Sequence, residues 1–272
     1  MKLFRIIATA LFALTLVTAA AIFIKEFVQT DRTMPVITVD ENMIEVSLKA
    51  TDEELLKGVT AYDEKDKDLT DNIIIESISR FIEPGVSKVT YTVCDKDNNV
   101  AKATRLIKYV GYEAPKFQVS GNLCFSIFEH IDIKGMVSAT DSLEGDMSGK
   151  AVITSENYTS SISGAFSLDV TVTNQKGDTS TITLPLIVED RPISVPTIEL
   201  KEYLVYADVG QEIDFRSYIT GVFDTDRLEL NREVSVESNV DFKTPGTYHV
   251  HYYVTNANGL RGHSVLTVIV EE

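Results

Sequence analysis

Pro84-Gly-Val-Ser-Lys-Val89-Thr-Tyr91-Thr-Val93-Cys-Asp95-Lys-Asp-Asn98 is the stretch whose reading decides the fold. Val89, Tyr91 and Val93 alternate with polar residues at period two, so they share one face of a strand. Pro84-Gly85 marks a tight turn ahead of the strand, with proline presetting φ. Asn98 stands where a hairpin needs positive φ, a conformation asparagine tolerates better than most residues. The same pattern recurs twice. Ser163-Gly164 leads into Leu168, Val170 and Val172, and Pro245-Gly246 into Val250, Tyr252 and Val254. In each copy the small pair precedes the last branched residue by nine positions. Asp95, Asn174 and Asn256 follow that residue by two, and Asn98, Gly177 and Gly259 by five.

Working outward, each copy begins at a proline in a short apolar run: Pro35, Pro115 and Pro196, spaced by 80 and 81 residues. Between start and hairpin, Ala61-x-Asp63-x-x-Asp66-x-Asp68-Leu69 matches Ala139-x-Asp141-x-x-Glu144-x-Asp146-Met147. The third copy keeps Asp224, Glu229 and Leu230 of this pattern. Self-similarity at a fixed period is the signature of a repeat architecture. Roughly 80 residues leave room for about seven short strands, and that strand spacing indicates a β-sandwich. The reading is therefore all-β, with domains at 34–111, 113–190 and 195–272 joined by short linkers, the second holding Pro192. No helical periodicity of useful length occurs beyond residue 30.

Residues 1–30 differ. Ile6–Ile24 is an uncharged run of 19 residues, preceded by Lys2 and Arg5 and followed by Lys25 and Glu26. As a helix it would span roughly 28 Å, close to the hydrocarbon thickness of a bilayer. The leading positive charges favour a cytoplasmic N-terminus and an extracellular body. Two readings stand: an uncleaved signal-anchor making a single-pass cell-membrane protein, or a secretory signal cut near Ala19-Ala20-Ala21. The run continues through Ile22-Phe23-Ile24, which suits the anchor. No cysteine follows it for lipid attachment, and the sequence ends at Glu272 directly after a strand pattern, without a wall-sorting tail.

The chain carries 25 Lys+Arg against 41 Asp+Glu, a formal net charge of −16. That balance argues against nucleic acid, which requires clustered basic residues. Two cysteines are too few for a disulfide scaffold or a four-cysteine zinc site.

Gly58-Val-Thr-Ala-Tyr-Asp63, Asp68-Leu-Thr70, Pro84-Gly85, Tyr91-Thr-Val93-x-Asp95 and Asn98-Asn-Val100-Ala101 together resemble bacterial immunoglobulin-like domains. Such domains occur in tandem on Gram-positive surface proteins and beside pesticidal crystal proteins, and are related to hyalin-type repeats. Asn98 replaces the usual glycine of the turn. The match is best over 34–110, looser over 196–272 and weakest over 113–190, where Ser163 replaces proline. The resemblance implies an immunoglobulin-like sandwich without catalytic activity, serving as an adhesive, spacer or recognition module.

Three constellations could carry chemistry. Asp63, Asp66 and Asp68 lie on one loop and Asp95 and Asp97 on another, at what should be one pole of the first sandwich. They are candidate Ca²⁺ ligands, since Ca²⁺ takes six to eight oxygens; the competing reading is turn-forming and solvated carboxylates. His249 and His251 should face outward on one strand, with His263 a possible cross-strand neighbour, a set able to bind Zn²⁺ or to consist of unrelated exposed side chains. Cys124 reads as a small core residue and Cys94 as pointing away from the core. No phosphate loop, His-Glu-x-x-His or Gly-x-Ser-x-Gly motif is present, so an enzyme is not expected. The leading reading is a membrane-anchored stalk, adhesin or protein-interaction module with no cofactor beyond possible Ca²⁺. The alternatives are a calcium-stiffened adhesive rod and a module binding a glycan or wall polymer, with Tyr112, Tyr158, Tyr203, Tyr206 and Tyr253 as candidate platforms in the absence of tryptophan.

Overall fold

The computed structural model describes residues 1–29, 32–154 and 158–272. Helix α1 (Lys2–Gln29) contains the apolar run, and its Lys2–Lys25 portion is long and apolar enough to cross a membrane. A signal sequence would pass the same test. Thr30, the last residue of the expected anchor segment, lies outside the described residues. The chain divides into two compact units, Met1–Val110 and Gly111–Glu272.

In the first unit the sandwich consists of β1 (Val36–Val39), β2 (Met43–Val46), α2 (Asp52–Leu56), β3 (Val59–Asp63), β4 (Lys67–Asp68), β5 (Ile74–Ile78), β6 (Val86–Cys94) and β7 (Val100–Tyr109). One sheet has the order β1-β3-β4 and the other β2-β7-β6-β5. The second unit repeats this plan twice. Its first sandwich has β8 (Lys116–Val119), β9 (Cys124–Ser126), α3 (Ile133–Met136), β10 (Val137–Asp141), β11 (Gly145–Asp146), β12 (Val152–Ile153), β13 (Gly164–Thr173) and β14 (Thr179–Glu189). The sheets run β11-β10-β8 and β12-β13-β14-β9. Its second sandwich has β15 (Thr197–Leu200), β16 (Leu204–Asp208), β17 (Ile219–Phe223), β18 (Ser235–Ser238), β19 (Gly246–Thr255) and β20 (Arg261–Glu271). There the sheets are β15-β17 and β16-β20-β19-β18. The place of β4 and β11 is taken by a single bridge, Phe223 to Glu229. In all three sandwiches the second strand pairs in parallel with the last, while the last two strands form a long antiparallel hairpin.

The period-two pattern lands where it should. Val89, Tyr91 and Val93, their counterparts Leu168, Val170 and Val172, and Val250, Tyr252 and Val254 are all buried. Each such side chain contributes about 1.5–3 kcal/mol of burial. Asn98, Gly177 and Gly259 have φ of 68°, 83° and 78°, as the hairpin turns require.

Two short helices beyond residue 30, α2 and α3, depart from the sequence reading. Thr51 and Glu54 cap α2 reciprocally: Glu54 N donates to Thr51 Oγ1 and Thr51 N to Glu54 Oε2. A single turn held this way is too short to show helical periodicity.

The C-terminal end of α2 is tied to the core by Arg105, whose side chain is 0% exposed. Its Nη2 donates to Leu55 O, Nη1 to Lys57 O and Nε to Tyr91 Oη, and Tyr91 Oη donates to Leu55 O as well. The helix thus leaves its last carbonyls facing a guanidinium instead of water. By pairing register Arg105 sits opposite Val89, the place Leu184 and Leu266 hold in the other sandwiches. Its nearest carboxylate, Asp40, is 62% exposed and 3.5 Å away. Arg105→Ala is expected to cost the first unit about 3–5 kcal/mol, since it opens a void and orphans buried carbonyls. Asp40→Ala should stay within about 0.5 kcal/mol. Denaturant unfolding of both variants measures the difference.

Candidate functional site

The two loops that carry the five candidate carboxylates of the first sandwich are bridged through Asp66–Lys96 and Asp97–Lys65, and each carboxylate has its own partners. Asp63 ends β3, and its Oδ1 accepts from the amides of Lys65 (2.8 Å) and Asp66 (2.9 Å). Asp66 accepts from the amide and the ammonium of Lys96, both at 2.9 Å, so the two loops are held side by side. Those bonds hold the Asp66 carboxyl below its ordinary range. Asp97 forms an ion pair with Lys65. Asp68 accepts from the Thr70 amide at 3.0 Å, and the Thr70 hydroxyl and amide lower its pKa. Asp95 closes the hairpin turn by accepting from Asn99 N and Nδ2, each at 2.7 Å. These are Asx-type turn bonds and loop-bridging ion pairs. Among the described residues, no group of three or more His, Cys, Asp or Glu side chains is arranged to hold a metal ion.

The same loops recur in the second unit with one change. Asp141 Oδ1 accepts from the amides of Leu143 (2.6 Å) and Glu144 (2.9 Å), while its Oδ2 accepts from Asn174 Nδ2 at 3.0 Å. In the last sandwich Asn256 Nδ2 donates to Asp224 Oδ1 at 3.1 Å. An asparagine closes the turn, as Asp95 does in the first sandwich, and also supplies an amide to the neighbouring aspartate.

The histidines form a second constellation. In the hairpin of β19 and β20, Tyr253 pairs with His263, which places His249, His251, Tyr253 and His263 on the outer face. His251 Nδ1 lies 3.0 Å from His263 Nε2, and His263 Nδ1 lies 2.8 Å from Glu189 Oε1. Glu189 ends β14 of the preceding sandwich, and Arg191 Nε is 3.0 Å from its other oxygen. Asn122 reinforces the junction, donating Nδ2 to His263 O (2.8 Å) and accepting from Val265 N (3.2 Å). The expectation of unrelated exposed histidines therefore fails for His263, which is buried because the neighbouring sandwich covers an outer face. Sequence alternation could not reveal this cover. A second contact lies at Phe117 N, which donates to Tyr206 Oη at 2.8 Å. Burial there pushes the Tyr206 phenol up to about 12.

The candidate platforms are largely engaged. Tyr203 is buried. Tyr112 donates to Asp178. The Lys116 ammonium stands 5.0 Å above the Tyr206 ring. Arg261 lies 3.8 Å over the Tyr253 ring, on which His263 also stacks at 4.4 Å. Tyr158 packs half-buried against the core. A groove of about 520 Å³ runs between β8 and β16, lined by Lys116, Ser138, Thr140, Glu202 and Tyr206 among others. Cys94 is exposed and Cys124 buried, and both are free. Burial raises the Cys124 thiol well above its ordinary value, leaving it a poor nucleophile.

Residues 207–270 match the family described as bacterial surface protein, Ig-like domain. The matched residues lie within the last sandwich, although sequence resemblance was best in the first. A protein of Acholeplasma phage L2, described as an uncharacterized 81.3 kDa protein, is 26% identical over 138 residues, 49% of this chain and 18% of its own length. The chain therefore spans less than a fifth of that relative. Among solved structures, the M60 catalytic domain with CBM51-1 and CBM51-2 of Clostridium perfringens ZmpB aligns over 88% of this chain and 31% of its own, at 13% identity and TM-score 0.24. Mouse cadherin-23 EC22-24 aligns over 88% of this chain and 99% of its own, at 14% identity and TM-score 0.20. At such scores the fold rests on the strand pairing described above.

Acid should weaken the junction. Burial and then the charge of His263 lower the pKa of His251, while Glu237 and Glu189 oppose; burial and then His251 lower that of His249. Arg191, Arg261 and Tyr253 also face this cluster. Unfolded imidazoles titrate near 6.5 and take up protons that the folded ones resist, so this stability is present above that pH and falls as pH drops below it. Urea unfolding of the Gly111–Glu272 unit at about pH 7.5 and about pH 5.5 should show the loss. The double variant His249→Gln/His251→Gln should lose less, and an unchanged loss would assign the effect to other groups.

Proposed function

We propose that this chain is a non-catalytic, membrane-anchored extracellular protein whose immunoglobulin-like domains form a stalk or adhesive module at a bacterial surface. The observation that carries this reading is the sequence of elements: one helix able to cross a membrane, then three sandwiches of one topology, the last matching a bacterial surface family. The buried polar side chains support it. Arg105, Asp141, Asn174, Asn256 and His263 tie helices, turns and neighbouring sandwiches together, as a stiff spacer requires. The working surfaces would then be exposed strand edges such as β5, β12 and β18, and the polar loops. A glycan-binding role has less support, because most of the tyrosines that would stack on sugar rings are buried or covered.

Cys94 offers a direct test of placement, being exposed on the first sandwich. A membrane-impermeant maleimide applied to intact cells is expected to label the full-length, membrane-associated protein, and Cys94→Ser should abolish the label. Labelling that appears only after lysis would place these domains inside the cell and end this reading.

A further inference from the structure

We infer that Asp63 and Asp95 form a Ca²⁺ site in the first sandwich, at the position where the other two sandwiches close the same loops with an Asp–Asn hydrogen bond. Asp63 and Asp141 hold equivalent places at the ends of β3 and β10, and the Oδ1 of each accepts from the amides two and three residues on. The Oδ2 of Asp141 receives the Asn174 amide. The Oδ2 of Asp63 is buried and has no hydrogen-bond partner among the described residues, in a residue only 2% exposed. The position of Asn174 and Asn256 is held by Asp95, itself 6% exposed. Ionised carboxylates only accept hydrogen bonds, so Asp95 cannot replace the missing amide donor. A buried anionic oxygen left unpaired carries an uncompensated desolvation cost, and a second carboxylate, at the position from which Asn174 and Asn256 reach the equivalent aspartates, adds repulsion.

The charge that would relieve this must come from outside the pair. Lys65 and Lys96 are engaged at the rim with Asp97 and Asp66. Hard carboxylate oxygens select Ca²⁺ or Mg²⁺. Two irregular loops suit Ca²⁺, with its longer and more variable bonds, better than the strict octahedron of Mg²⁺. The pair supplies two protein carboxylates, so water and main-chain carbonyls must complete the shell. Affinity should therefore fall in the weak class of extracellular calcium modules, with a dissociation constant on the order of 10⁻⁴–10⁻³ M. The second and third sandwiches, with asparagine in place, should bind none.

Calorimetric titration of the detergent-solubilised full chain with CaCl₂ tests this, with MgCl₂ as control. Saturable uptake of one Ca²⁺ per chain is expected, together with a rise of about 5 °C in the first unit's melting midpoint at saturation. Asp95→Asn should weaken uptake at least tenfold while keeping the fold, because it restores the amide found in the other sandwiches. Asp63→Asn, checked by circular dichroism, should do the same, and Asp71→Asn, on an exposed residue, should change nothing. No saturable uptake up to about 10 mM, or uptake undiminished in Asp95→Asn, overturns the inference.

Discussion

Each sandwich depends on the long hairpin of its last two strands, whose inner face is buried along its length and whose backbone groups must therefore all be paired. Val86–Cys94 with Val100–Tyr109, Gly164–Thr173 with Thr179–Glu189, and Gly246–Thr255 with Arg261–Glu271 are the same device. The second strand adds in parallel to the outer side of the last strand, which fixes where the chain enters the sheet. A slip of one residue in the hairpin would turn Val89, Tyr91 and Val93 outward and bring Thr90 and Thr92 into the core. The positive φ at Asn98, Gly177 and Gly259 guards against that slip by setting the turn.

With the hairpin set, the variable positions have meaning. The same inward site holds Arg105 in one sandwich and leucine in the other two. The guanidinium is tolerated because α2 brings carbonyls to it; the second sandwich has a short helix, α3, at the same place and a leucine instead. The position after the hairpin's first strand holds Asp95 or an asparagine. Both close the turn through the amide four residues on, and only the asparagines hand an amide to the neighbouring aspartate. Equivalent scaffolds thus carry different electrostatics at one pole.

In the second unit, polar groups on an outer sheet face join two sandwiches. His251, His263, Glu189 and Asn122 make a chain of hydrogen bonds across the junction. Apolar burial alone would allow the two sandwiches to slide. Directional bonds to a buried imidazole hold one arrangement, at the cost of sensitivity to protonation.

The sequence by itself determined the repeat, the strands' inward faces, the turns and the apolar helix, because each is a local pattern of period two, of turn chemistry or of uninterrupted hydrophobicity. It also put Asp63, Asp66, Asp68, Asp95 and Asp97 on two loops expected at one pole, since the repeat fixes which loops are neighbours. Only the tertiary structure decided what those carboxylates do: Lys65 and Lys96 face two of them, and the buried Asp63 Oδ2 is left without a hydrogen-bond partner among the described residues. It likewise decided that Arg105 caps a helix fifty residues earlier and that His263 is buried against Glu189. Those outcomes depend on which groups meet across sheets and domains and on what covers a face. Neither leaves a periodic trace along the chain.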